Sequence, residues 1–321
     1  MPPLPEPISH TVEVIYRAIA AKARAGDNRG VAMSEAANEC ARAIWYRLRW
    51  AAPLEEITGQ KERKFETGRR EEVRLLDDLE ATGIKVERID PATGKQFAVE
   101  LARGWLRGKM DGRALGIPEA PKTLHVVECK SHSDRSYKEL LKHAPPKGEG
   151  LKKSKPEHHA QCQLYMHAQH LKRCLYLAVN KNTEELYAER IEYDAAFCLA
   201  LEAKIERIAA SDRAPPRLWE DPTAKGAFAC NWCSAKPICH ERAFARINCR
   251  TCLSSDFRDG AEVWCTLHDR QLSYDKQQSG CEHHLYLPDL VPGEQTDANP
   301  EIRIITYQMP DGSIWKDGVE K

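Results

Sequence analysis

Three residues in one short stretch could do chemistry together: Asp111, Glu128 and Lys130. Asp111 stands in Met110-Asp111-Gly112, a turn rich in Gly and Pro follows, and a short apolar run then ends in Glu128-Cys129-Lys130. Side chains alternate across a strand, so Glu128 and Lys130 point to one face, together with Leu124 and Val126. A neighbouring strand would bring Asp111 beside them. Two carboxylates offer hard oxygen ligands to a divalent cation, and an ammonium next to them suits a reaction that builds negative charge. The competing reading is a charged pair on a solvated strand face.

The elements that must position these groups can be read from periodicity. Ile8–Ala25 has helical spacing and breaks at Gly26-Asp27-Asn28, and Ser34 reads as the N-cap of a second helix reaching Trp50. A third helix is predicted from Gly68 to Leu79, stopped by Thr82-Gly83. Strands are predicted at Ile84–Ile89, Phe97–Leu101, Leu106–Leu115 and Leu124–Lys130. A polar connection at Pro145–Gly150 precedes a helix over Pro156–His170. Strands at Cys174–Asn180 and Leu186–Ile191 and a helix at Ala195–Ile208 complete the series. This order predicts an α/β fold with a mixed (α+β) sheet flanked by helices.

Two further pieces frame the acidic strand. Glu72 stands four residues after Gly68, and Gln161 and Tyr165 share a helical face at a spacing of four. Glu72 also reads as an ordinary first-turn acid favoured by the helix dipole. With Asp111 and the Glu-x-Lys strand, these pieces resemble the PD-(D/E)XK nuclease superfamily, in its RecB-like and CRISPR-associated branch, although Met110 stands where proline is usual. The resemblance implies a restriction-endonuclease-like core with Asp111, Glu128, Lys130, Gln161 and Tyr165 as catalytic residues. It implies Mg²⁺ or Mn²⁺ held by Asp111 and Glu128 with Glu72 and the Cys129 carbonyl, and Lys130 positioning or deprotonating the attacking water. The iron–sulfur branch often has His where this chain has Glu72.

Twelve cysteines in a chain with no apolar run long enough to span a bilayer and no signal-peptide pattern point to a cytosolic, metal-binding protein before a disulfide-bonded one. Cys230, Cys233 and Cys239 form C-x₂-C-x₅-C, one ligand short of a closed site. Cys40, followed by a basic and aromatic run, resembles the first half of the split staple of CRISPR-associated and AddB-type 4Fe–4S exonucleases, with Ala41 in place of the usual proline. The resemblance implies a 4Fe–4S cluster on Cys40, Cys230, Cys233 and Cys239. Zinc on the same thiolates, and Cys40 as an inert packing residue, are the alternatives. A second group, Cys249, Cys252, Cys265 and Cys281 with His268 or His284 as substitutes, reads as a structural zinc site. Cys129, Cys162, Cys174 and Cys198 read as packing residues, and Ile302–Trp315 as a hairpin.

Lys and Arg together number 48, as do Asp and Glu, so the formal net charge is zero and nucleic-acid binding would need local basic patches. Such patches occur at Lys61–Lys64, at Arg69-Arg70 and from Lys138 to Lys155. The expected organisation is an N-terminal helical part (1–60), a nuclease core (61–215), an iron–sulfur segment (216–245) and a zinc-ribbon-like module (246–321) whose tail looks similar to one on phage-encoded nucleases. The expected function is a metal-dependent DNA exonuclease acting on single-stranded or frayed ends in recombination, repair or phage DNA metabolism, in a bacterial or phage-infected cytosol, with a recombinase or helicase as possible partner. The alternatives are a CRISPR-adaptation nuclease and a non-catalytic nucleic-acid-binding protein with structural metal sites.

Overall fold

A computed structural model describes residues 10–23, 29–54 and 56–318. The first part contains α1 (Thr11–Ala20), β1 (Val31–Ala32), α2 (Ala41–Leu48) and α3 (Gly59–Ala81). The strands β2 (Lys85–Glu87), β3 (Ile89–Asp90), β4 (Lys95–Gln96), β5 (Ala98–Leu101), β6 (Leu106–Lys109), β7 (Gly112–Leu115) and β8 (His125–His132) follow. After them come α4 (Asp134–Lys142), α5 (Leu151–Ser154), α6 (Pro156–Ala168), β9 (Arg173–Asn180), β10 (Leu186–Glu192) and α7 (Ala195–Ala209). The central sheet has the order β10-β9-β8-β7-β2. Only β8 and β9 run parallel, with Glu128 opposite Tyr176, and the other neighbours are antiparallel. The fold is mixed α/β, as the element order predicts.

The middle strand is covered on both faces. Val127 and Cys129 pack with Leu75 and Leu76 of α3, whereas Val126 belongs to the larger core that includes Cys162, Tyr165 and Met166 of α6. Burying each of these aliphatic side chains contributes about 1.5–3 kcal/mol. Glu128 is therefore sealed inside a two-sided layer and is 0 % exposed. The solvated-face reading is overturned.

Several boundaries move, each for a physical reason. Residues 8, 9, 24 and 25 of the first predicted helix, and the turn at 26–28, lie outside the described residues. Ser34 caps no long helix: Met33–Glu35 is a single 3₁₀ turn, and the helix begins after Cys40, which is extended. The third helix starts nine residues earlier than the apolar pattern indicates, because Thr58 caps it by accepting from the Lys61 amide at 3.2 Å. Glu72 thus sits in mid-helix, and the helix-dipole reading falls. The predicted strand Leu106–Leu115 breaks at Met110-Asp111, where β6 joins a small sheet with β1 and β5 and β7 joins the central one. The break puts Asp111 between two sheets.

Beyond α7 lie α8 (Lys236–His240), β11 (Ser255–Arg258), β12 (Glu262–Cys265), β13 (Arg270–Gln271) and α9 (Tyr274–Gln277). The terminal hairpin, β15 (Ile304–Gln308) and β16 (Ile314–Asp317), gains a third strand, β14 (Glu294–Asn299). This part shares its core with the chain before it. Leu285, Leu287, Leu290 and Tyr307 belong to the same core as Trp45 and Leu48. Phe257 stacks on Trp105 at 4.6 Å. Gly104, at φ +86°, approaches so near that a Cβ there would stand 2.8 Å from the Gly260 carbonyl carbon.

Candidate active site

The strand break and β8 bring Asp111, Glu128 and Lys130 together. Asp111 Oδ2 accepts the Cys129 amide at 2.7 Å, so the aspartate is tied to the backbone of the acidic strand. Lys130 Nζ donates to Glu128 Oε1. The second oxygen, Glu128 Oε2, is buried and has no hydrogen-bond partner. A carboxylate oxygen left so would cost kilocalories unless a proton or a cation meets it. From the other side of the sheet Glu72 of α3 comes within hydrogen-bonding reach of Asp111.

The electrostatics follow from this crowding. Burial, then Asp111, push Glu72 up to about 7 against the pull of Lys130. Burial also raises Asp111, opposed by Lys130 and by the Cys129 amide. Glu128 is pushed up to about 8 by burial and by its acidic neighbours, although Lys130 pulls the other way. Lys130 itself is raised because the carboxylates Glu128 and Asp111 outweigh the effect of burial. It is an ammonium at neutral pH. Three neighbouring carboxyl groups whose pKa values burial raises form a chemical setting for a divalent cation. Among the described residues, no three His, Cys, Asp or Glu side chains are already arranged around one point as metal ligands. Glu72 instead hydrogen-bonds Asp111, and Glu128 pairs with Lys130.

Glu72, Asp111 and Lys130 line a cleft of about 810 Å³ walled by α3, and Glu128 lies buried behind it. Lys22, Lys64 and Arg69 bring positive charge to it, and Phe65 an exposed ring. Gly68 stands on the wall one helical turn before Glu72, and a Cβ placed there would meet nothing within 4 Å. The first two turns of α3, absent from the sequence reading as a helix, thus form much of the cleft. Thr58 was the signal that could have found them.

On the opposite side, α6 presents Gln161 and Tyr165. Gln161 Nε2 donates to the Tyr165 hydroxyl at 3.1 Å, which in turn donates to the Lys109 carbonyl at 2.7 Å. Burial first, then the charge of Glu128, hold the phenol well above its ordinary pKa, so it stays a neutral donor. Gln161 Oε1 is buried without a partner. Sequence reasoning missed a neighbouring network: the Tyr176 hydroxyl bridges His132 Nε2 at 2.8 Å and His158 Nδ1 at 2.9 Å. Burial drives His132 down to about 4 and His158 to about 2, so both are neutral. No local pattern announces this trio, because its members come from three separate elements.

The cysteine sets are also gathered. Cys230 and Cys233 are raised by burial and then by Cys40 and Cys239, so Cys40 joins the trio across the length of the core. Arg217 hydrogen-bonds Cys239. All twelve cysteines are free thiols. Cys129, Cys162, Cys174 and Cys198 are buried, as packing residues should be. Cys249, Cys252, Cys265 and Cys281 line one cavity with His268 and His284.

No protein-family model matches the chain, and no curated protein matches it. Among solved structures the chain is similar to LHK-Exo in complex with dAMP at 16% identity and a TM-score of 0.40, covering 60% of this chain and 89% of that one. It is likewise similar to an alkaline exonuclease (LHK-Exo) from Laribacter hongkongensis, at 15% identity and a TM-score of 0.40, over 62% and 91% of the two chains. A third likeness is SSO0001, at 11% identity and a TM-score of 0.39, over 72% and 96%. At these TM-scores the likenesses carry no conclusion about this chain. No helix among the described residues is long and apolar enough to cross a membrane.

Proposed function

We propose that this protein is a divalent-metal-dependent deoxyribonuclease that hydrolyses phosphodiester bonds at DNA ends. The observation that carries the reading is the orphaned Glu128 oxygen, buried next to the Lys130 ammonium behind a cleft lined by Asp111, Glu72, Lys22, Lys64 and Arg69. A structural ion pair needs only Lys130 and Glu128. It does not account for two more carboxyl groups brought beside it and raised by burial.

Asp111, Glu128 and Glu72, with the Cys129 carbonyl, would hold Mg²⁺ or Mn²⁺. When bound, the cation would neutralise charge on the scissile phosphate and make the attacking water more acidic. Lys130, kept protonated by its carboxylate neighbours, stabilises the negative charge that grows on the phosphoryl oxygens. It acts as an electrostatic group and not as the base. Gln161 and Tyr165, anchored to the Lys109 carbonyl, brace the acidic strand from the side opposite the cleft. Lys64 and Arg69 on α3 would hold backbone phosphates, Arg69 on leaving its ion pair with Glu62. Cys40, Cys230, Cys233 and Cys239 would hold a 4Fe–4S cluster. Arg217 against Cys239 offsets thiolate charge there, and such a cluster ties the chain before the core to the segment after it.

The test is hydrolysis of labelled linear and circular DNA with Mg²⁺ or Mn²⁺ and with a chelator. Release of nucleotides from linear single-stranded or frayed DNA, lost on chelation, supports the reading. Absence of hydrolysis under all these conditions sinks it. Broad visible absorbance of protein purified without oxygen, lost in Cys233→Ala, supports the cluster; a colourless protein with zinc on these thiols contradicts it.

A further inference from the structure

The C-terminal cysteines have no part in that chemistry, yet four of them line one cavity. Cys249 and Cys252 bracket one 3₁₀ turn, Cys265 ends β12, and Cys281 follows α9. The four thiols face a cavity of about 150 Å³. Burial, then Cys252, Cys281 and Cys265, raise Cys249 to about 11. Cys252 is likewise raised by burial, and two backbone amides oppose this, those of Leu285 and of Ser254, whose nitrogen lies 3.4 Å from the sulfur. Amides aimed at a sulfur favour a thiolate over a thiol. Cys249 Sγ lies 3.3 and 3.2 Å from the carbonyls of Lys276 and Ser279, which take its thiol hydrogen.

The turn between the first two cysteines carries Arg250, which is 0 % exposed. Its guanidinium leaves the cysteine side and enters the N-terminal part. It donates to the carbonyls of Arg29 at 2.9 Å and Leu48 at 3.0 Å and to Gln277 at 2.8 Å, and it lies 4.0 Å from the Trp50 ring. The Arg250 carbonyl faces Arg49 Nη1 at 3.4 Å. The segment that would fix a metal is thus the segment that pins this part to the chain leading into α3.

We propose that Cys249, Cys252, Cys265 and Cys281 bind one zinc ion as four thiolates, and that the occupied site holds Arg250 in its socket between the two parts. Binding converts four thiols to thiolates and releases about four protons, with no change of oxidation state. His284 is not needed to complete four ligands, and its Nε2 is 3.2 Å from Thr251 Oγ1 with its ring against Tyr286. His268, with Nε2 3.8 Å from Cys281 Sγ, lies at the rim.

The experiment measures zinc per chain in full-length protein produced with zinc present. Cys265→Ser and Cys281→Ser each lose one zinc relative to wild type, whereas His268→Ala and Cys233→Ser keep it. Cys265→His, which still offers a tetrahedral ligand, retains the zinc and guards against a Cys265→Ser chain that does not fold. Chelation lowers the wild-type Tm more than that of Arg250→Met, because the strut is already lost in the variant. Wild-type protein whose zinc content is unchanged by Cys265→Ser, or zinc lost in His268→Ala and kept in Cys281→Ser, overturns the ligand set. Equal chelator-induced Tm shifts in wild type and Arg250→Met overturn the link to Arg250.

Discussion

If Glu72, Asp111 and Glu128 hold a divalent cation, its affinity must rise steeply with pH, because protons occupy the same oxygens. With Glu72 at about 7 and Glu128 at about 8, both carry protons at pH 6. Displacing them weakens cation binding about 1,100-fold at pH 6 but only about twofold at pH 8, so the apparent Kd falls about 500-fold between these pH values. That change corresponds to about 4 kcal/mol of binding free energy. Of the other groups facing the site, Asp111 is raised by burial and so competes for protons in the same direction, and Lys130 stays an ammonium. Glu72→Gln removes one of the two competing protons and reduces the predicted change to about 50-fold. Mn²⁺ binding followed by isothermal titration calorimetry from pH 6 to pH 8 measures both slopes. Equal affinities at the two ends, or the same slope in Glu72→Gln as in wild type, would refute the reasoning.

The same shifts set the stability of the chelated protein. Glu128 has a folded-state pKa raised above its unfolded value, so its contribution is fully present below about pH 4.5 and is lost as pH rises through about 8. The slope is no more than about 1.4 kcal/mol per pH unit. The Tm of protein in a chelator falls from pH 6 to pH 8, and Mn²⁺ reverses the fall; a flat profile contradicts this. Gly68→Ala stabilises α3 by about 0.8 kcal/mol, because the new methyl group meets nothing, and it lowers DNA hydrolysis by narrowing the cleft. Gly108→Ala places a methyl 2.8 Å from the Tyr165 ring and displaces it, which a change in Tyr165 fluorescence or NMR shift would report. Arg250→Ala leaves the Arg29 and Leu48 carbonyls and Gln277 unpaired and destabilises by about 3 kcal/mol in chemical denaturation, even with zinc bound.

The parts of the site that are local in sequence were legible, and the parts made by distant packing were not. The Glu128–Lys130 spacing and the Gln161–Tyr165 spacing need only strand and helix geometry, and both pairs are in contact as those periods require. The alternation rule left one point open, which is whether β8 is covered on one face or two. Leu75 and Leu76 decide it, and they lie far upstream. The first turns of α3 were lost because Gly59–Thr67 shows a polar run to solvent and the cleft, with no apolar stripe to reveal the helix. The single strand drawn from Leu106 to Leu115 became two because periodicity cannot show a chain changing sheets. The joint between Arg250, Trp50 and Leu48 spans about two hundred residues, and no local pattern encodes it.

The account stands most directly on one measurement: the single-turnover rate of end-labelled DNA hydrolysis in saturating Mn²⁺ for wild type, Asp111→Asn and Lys130→Met. Asp111→Asn is isosteric and Lys130→Met is one atom shorter, and each removes one charge. The predicted result is metal-dependent cleavage by wild type, reduced on the order of 10²-fold or more in each variant, with folding unchanged by circular dichroism. Cleavage by both folded variants at the wild-type rate would show that the buried carboxylate–lysine cluster is not where the phosphodiester is broken.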